Sequence, residues 1–231
     1  IELKNSTTDL YLHGKRYLHR GDYENARRCF EGILDETRQN GETDALIDLL
    51  LHLGNIEAQL GRPARARLFY QEVLSLPQSE STQRAAALTL LNLGNLCREA
   101  GENKRAEAYY LETKDLLHKT GDTGALAVLY SNLGLLAQDE GHLEQARRLL
   151  EEAIGLHKKT GYEEGLAATW GQMGRILFQQ GEDGNAETCF NYSAMHFSAL
   201  GDPLGESEAL RGLVRVYEKR GDPELALHCL T

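Results

Sequence analysis

Glycine recurs in this chain at a spacing of 40 residues, and that restricts the fold to stacked copies of one small unit. Gly14, Gly54, Gly94, Gly134 and Gly174 form one series, and Gly21, Gly61, Gly101, Gly141, Gly181 and Gly221 a second. A third holds Gly41, Gly121, Gly161 and Gly201, with Ser81 in the remaining slot. Together these series absorb 15 of the 23 glycines, so the glycine excess reflects periodicity and not flexible linkers. Alanine keeps the same interval at Ala26, Ala66, Ala106, Ala146, Ala186 and Ala226. Self-similarity at this period is the signature of a solenoid in which each unit touches only its neighbours. The units fall at about 1–41, 42–81, 82–121, 122–161, 162–201 and 202–231, the last truncated, and read together as one elongated domain over 1–231.

Apolar spacing gives the structure inside a unit. Tyr130, Leu133, Gly134 and Ala137 recur at i, i+3, i+4 and i+7, one face of a helix. Gly141 ends that helix, because glycine accepts the left-handed conformation that follows a helix C-terminus. A second helix carries Ala146, Leu149, Leu150 and Ala153 and closes with Lys158, Lys159 and Gly161, cations in the last turn favouring the helix dipole. Gly134 sits mid-helix among large apolar residues, where a glycine costs about 1 kcal/mol relative to alanine. A close approach of the partner helix compensates that loss. Pro63, Pro203 and Pro223 stand near expected helix starts, where a missing N–H costs little. Pro77 stands where a helix should stop, and LPQSESTQ replaces the usual glycine turn, so a longer connection is expected there.

The net charge of −10 disfavours non-specific binding to nucleic acid, which depends on neutralising phosphates, and docking on anionic membranes. No apolar run is long enough to span a membrane, and the N-terminus carries no signal-peptide pattern. The first residue is not methionine and Thr231 falls inside an expected helix, which reads as a piece of something longer. Cys29, Cys97, Cys189 and Cys229 occupy mostly apolar slots and act as small core hydrophobes. Their spacing gives no metal pattern, and free thiols point to a reducing, cytoplasmic compartment. The eight histidines occupy unrelated slots at the surface or core edge, and acidic residues fall on solvent faces. No nucleophile elbow, phosphate-binding loop or dinucleotide fingerprint occurs, so no enzyme, cofactor or metal site is implied.

The unit resembles the tetratricopeptide repeat, whose W-x2-L-G-x2-Y pattern and later alanine and aromatic appear piecewise. Trp170, Met173 and Gly174 give one version, and Leu50, Leu53 and Gly54 another; Phe30, Tyr70, Tyr110, Leu150 and Phe190 supply the later position. The 40-residue length and the L-G-N triplets at Leu53–Asn55 and Leu93–Asn95 resemble the Leu-Gly-Asn adaptors of cell polarity, the Pins type. Similar long units occur in bacterial sensors of the MalT and Rap kind. The resemblance implies an all-α, right-handed solenoid of about six helix-turn-helix units, the first helix of each lining a concave side. It implies a scaffold or adaptor that binds a protein or peptide segment and catalyses nothing; the alternative is a ligand- or peptide-sensing domain of a bacterial regulator.

In that family the inward stripe lies one position past the core stripe of the first helix. Here it carries Lys15, Arg98, Arg175, Arg211 and Arg215 against one acid, Glu218, so the inner wall opposes the sign of the whole chain. Gln138 belongs to the same stripe. Asn55 and Asn95 share one slot, and Asn92, Asn132 and Gln172 an adjacent one. Their amides suit the N–H and C=O groups of an extended peptide, or else bond between neighbouring helices. These eleven residues are the candidate peptide-binding set, with acidic ligand residues expected near the last two units. A clamp for the C-terminal carboxylate of heat-shock chaperones is not formed, since Leu51 and Leu91 stand where that resemblance requires lysine. Self-association through Leu225, Leu227 and Leu230 at the C-terminal end is a further expectation.

Overall fold

A computed structural model of the chain describes residues 7–77 and 79–229, and all regular structure among them is helical. Among these residues twelve helices follow in hairpin pairs. They are α1 (Thr7–His19) with α2 (Tyr23–Asn40), α3 (Thr43–Gln59) with α4 (Pro63–Ser75), and α5 (Glu80–Glu99) with α6 (Asn103–Thr120). Then come α7 (Thr123–Asp139) with α8 (Leu143–Thr160), α9 (Glu163–Gln179) with α10 (Asp183–Leu200), and α11 (Pro203–Arg220) with α12 (Pro223–His228). The even-numbered helices start at residues 23, 63, 103, 143, 183 and 223, so the 40-residue step of the sequence is the step of the structure.

The turn glycines carry out the stops expected of them. All ten members of the second and third series have φ between 68° and 81°, a left-handed conformation that glycine adopts without strain. Asp22, Asp122 and Asp202 cap the helices that follow, each accepting a backbone N–H of the first turn. Pro63, Pro203 and Pro223 open α4, α11 and α12. At Pro77 the irregular joint takes the expected form. The connection runs over residues 76–79 where other hairpins are joined by two residues, and Ser79 with Thr82 makes a capping box for α5.

The first glycine series has a different purpose. A Cβ on Gly54 would lie 2.3 Å from the Tyr70 ring, and one on Gly94 2.4 Å from the Tyr110 ring. Gly14 faces Phe30, Gly134 faces Leu150 and Gly174 faces Phe190 in the same way. The large residue of each second helix therefore seats on bare backbone of the first. In the sixth hairpin Val214 occupies the glycine slot, and Gly212 faces Phe190 of the preceding hairpin instead, so that ring lies between Gly174 and Gly212.

The chain divides into two compact units, residues 1–120 and 121–231. Within the first, α3 packs on α5; within the second, α7 packs on α9 and α9 on α11, while α8 and α10 do not meet along their backbones. The odd-numbered helices thus make the tighter layer of each unit. The even-numbered layer is bridged by side chains, as in Arg38–Glu72 at 2.7 Å and Arg65–Glu31 at 2.8 Å. All four cysteines are free.

Two buried polar groups depart from the sequence expectations. Glu57, on α3, is fully buried instead of facing solvent, with the Arg65 guanidinium 3.0 Å away and Arg62 at 3.7 Å. A buried carboxylate persists only when paired in this way. His157 is 1% exposed and belongs to the core of α8, against Tyr162 and Gly165. Burial holds its pKa below the ordinary imidazole value, and that of His52 likewise, against the opposing pull of Asp48.

Gly94→Ala is expected to lower the denaturation midpoint, because overpacking against Tyr110 costs about 1–3 kcal/mol. Gly155→Ala, in open space inside α8, should instead stabilise by roughly 0.5–1 kcal/mol. The histidines fix a pH dependence: above the ordinary imidazole pKa both folded and unfolded states are neutral and nothing changes. Below it the unfolded chain takes up protons that buried His157 and His52 resist, so stability falls with pH. Denaturant midpoints should drop between about pH 7.5 and about pH 5.5, and His157→Gln should flatten that slope.

Candidate functional site

The stripe expected to face a ligand lies on the odd-numbered helices, and the two units treat it differently. In residues 1–120 the amides are occupied by neighbours. The Tyr70 hydroxyl donates to Asn55 Oδ1 at 2.6 Å, and the Asn92 amide donates to the same oxygen at 2.9 Å. The Tyr110 hydroxyl donates to Asn95 Oδ1 at 2.7 Å. Burial pushes the Tyr110 phenol up to about 12, so it remains a proton donor, with Arg98 beside it. Each L-G-N asparagine thus accepts from the tyrosine packed on the glycine before it. Hairpins with Phe or Leu in place of that tyrosine carry Lys15, Leu135 or Arg175 in place of the asparagine.

The adjacent slot reads the ring of the preceding hairpin. His52 stacks on Phe30 with centroids 5.2 Å apart, Asn92 meets the Tyr70–Asn55 pair, and Gly212 meets Phe190. Lys15 lies over the Tyr11 ring at 5.5 Å, and the Tyr11 hydroxyl donates to Asp48.

In residues 121–231 the stripe opens onto a cleft of about 350 Å³ between α7, α9 and α11. Gln138, Arg175, Arg211 and Arg215, all expected from the sequence, line it together with Phe178, Gln179, Phe190, Glu208 and Gly212. The Gln138 amide donates to Gln179 Oε1 at 2.8 Å, and Arg211 Nε to the Ser207 carbonyl at 3.3 Å. Arg175 Nη1 donates to Glu208 Oε1 at 2.9 Å, an ion pair that crosses from α9 to α11. An adjoining pocket of about 130 Å³ shares Arg175, Phe190 and Glu208 and is otherwise lined mainly by small or apolar residues, Gly171, Gly205, Ala168 and Ala209 among them. Gln172 lines it too, and its Oε1 is buried with no hydrogen-bond donor. A buried acceptor left unmade costs about 1–3 kcal/mol, which an incoming N–H would recover. Asn132 is half-buried on α7 and lines neither space.

Sequence reasoning missed Glu208 and Gly212. Glu208 lies three residues before Arg211, and Asp48 occupies the equivalent slot of the second hairpin. Extending the stripe by one helical turn would have found both carboxylates, since residues three apart share a helix face. Gly212 takes the slot of Asn92, Asn132 and Gln172, and the missing side chain leaves the Phe190 ring as the floor of the cleft.

Among the described residues no group of three His, Cys, Asp or Glu could hold a metal ion, and no helix is long and apolar enough to cross a membrane. Tyr70→Phe should cost about 1 kcal/mol by removing one hydrogen bond within the hairpin. Urea denaturation would show this, and an Asn55→Ala background should reduce the loss.

No curated protein matches this sequence. Among solved structures the chain is similar to BtubC (BKLC) from P. vanneervenii, at 16% identity over 90% of this chain and 87% of that one, with a TM-score of 0.73. It is similar to a chain of the APC/C hetero-tetramer Cut9–Hcn1, at 19% identity over 99% of this chain but only 40% of that one, with a TM-score of 0.75. The apo form of the quorum sensor NprR from B. thuringiensis aligns at 18% identity over 91% of this chain and 65% of that one, with a TM-score of 0.62. At such identities the likeness concerns the fold alone. The family profile described as tetratricopeptide repeat matches residues 8–79 and 85–159, more than half of the sequence. With its helical hairpins, their 40-residue step and that match, the chain belongs to the tetratricopeptide repeat family.

Proposed function

We propose that this chain is an interaction scaffold or adaptor that binds a peptide segment of another protein on its odd-numbered helices. Acidic side chains of that segment enter the cleft between α7, α9 and α11. One observation carries the reading: three guanidinium groups and one carboxylate surround an apolar floor of Phe178 and Phe190, in a chain of net charge −10. Guanidinium groups bind carboxylates by charge-assisted, often bidentate hydrogen bonds, and the rings accommodate neighbouring apolar side chains. Gln138 and Gln172 offer polar contacts to the ligand backbone. Lys15, Asn55, Asn92, Asn95, Arg98 and Asn132 belong to the proposed surface, the asparagines of the first unit acting chiefly by holding its wall in shape. The six hairpins then act as one non-enzymatic array in a cytoplasmic setting.

A second reading, a peptide-sensing domain of a bacterial regulator, is favoured by the similarity to the quorum sensor NprR. It places the same cleft at the sensing step. Self-association is a further proposal, since Leu225 and Leu227 are 47% and 63% exposed at α12; Leu230 lies outside the described residues.

Fluorescein-labelled peptides with a central glutamate, titrated against the full chain, test the reading. Arg175→Glu and Arg215→Glu together should weaken binding by at least about tenfold, equivalent to about 1.4 kcal/mol. Affinity that is unchanged by the reversal would remove the cleft from the binding surface.

A further inference from the structure

We infer that Glu208 is a built-in competitor in the cleft: it occupies the place on Arg175 that a ligand carboxylate takes, and the ligand enters by exchanging with it. The inference rests on the peptide-binding reading above and adds the chemistry of the segment bound.

Two features of the geometry carry it. Arg175 and Glu208, which form an ion pair, line both adjoining pockets, as does Phe190. The pair is also exposed, 38% and 64% accessible at its side chains, so separating it removes little stability. An entering carboxylate gives Arg175 an equivalent partner while the Glu208 side chain turns out into water. A neutral amide offers no charge in return and leaves Arg175 with Glu208. The carboxylate of Glu208 thereby weakens binding of every segment that must displace it, and only a segment with a full negative charge regains the Arg175 contact.

Both spaces lie against Arg175, so one bound segment reaches both once Glu208 has turned away. The segment that fits carries an acidic residue next to a small or medium apolar one. The acid meets Arg175 in the larger cleft, and its apolar neighbour fills the pocket floored by Gly171, Gly205 and Ala209. The buried, donorless Gln172 Oε1 in that pocket accepts a backbone N–H of the same segment.

The test is a double-mutant cycle on the full chain, read by fluorescence anisotropy. The probes are short labelled peptides with a central Glu flanked by Ala or Leu, the matched peptides with a central Gln, and a Glu peptide flanked by Trp. Glu208→Gln should tighten binding of the Glu–Ala and Glu–Leu peptides by about three- to tenfold and leave the melting temperature unchanged. The gain should vanish in an Arg175→Gln background, and Glu206→Gln, which removes the same charge elsewhere on α11, should not reproduce it. The Trp-flanked peptide should bind more weakly than its Leu-flanked counterpart. If wild type binds the Glu peptides and loses them on Arg215→Glu, yet Glu208→Gln has no effect or acts equally without Arg175, the role of Glu208 is overturned alone. If wild type binds none of the peptides, the peptide-binding reading falls and this inference with it.

Discussion

The contact between a bare glycine backbone and a large side chain of the partner helix is the interaction on which each of the first five hairpins depends. Gly14 on Phe30, Gly54 on Tyr70, Gly94 on Tyr110, Gly134 on Leu150 and Gly174 on Phe190 repeat one geometry. Glycine weakens each helix on its own, and burial of a ring or a leucine against the opened backbone more than offsets that loss. Because the same contact recurs every 40 residues, the first helices of successive hairpins present equivalent faces within each unit. That repetition is what turns a row of side chains into a surface.

Most of the fold could be read from the sequence because its determinants are local or periodic. Turn glycines, proline helix starts and the Gly–aromatic pairs each act within one hairpin, so the 40-residue arithmetic exposes them. Gln138, Arg175, Arg211 and Arg215 came together in one cleft for the same reason: they share a helical stripe. What the arithmetic could not reveal lies between hairpins. Arg175 finds Glu208 at a separation of 33 residues, and Arg38 finds Glu72 at a separation of 34. Such partners are set by the rotation from one hairpin to the next, which no spacing encodes. His157 was misplaced at the surface or core edge because a polar residue in an apolar helix face gives no sign of how closely its neighbours approach.

The cleft shows how a repeat acquires an individual character. Glycine at position 212, in place of the amide of earlier units, lets α11 pack directly on the Phe190 ring, and Glu208 places a carboxylate beside Arg175. Glu208 lies outside the contacts that join α9 to α10, whereas Gly212 packs on the Phe190 ring that seats on Gly174. Side chains such as Glu208 can therefore vary on the stripe while the glycine–ring packing beneath it stays fixed.

The tyrosine–asparagine pairs set the size of the piece that can be exchanged between such arrays. Asn55 and Tyr70, like Asn95 and Tyr110, stand in different helices of one hairpin. A crossover within the turn at Leu60–Arg62 would deliver a hydroxyl to a neighbour such as Leu135 that cannot accept its proton. A crossover at Gly41 or Gly121 keeps donor and acceptor together. The heritable module of this architecture is accordingly the complete hairpin, and shuffling by half-modules is chemically penalised.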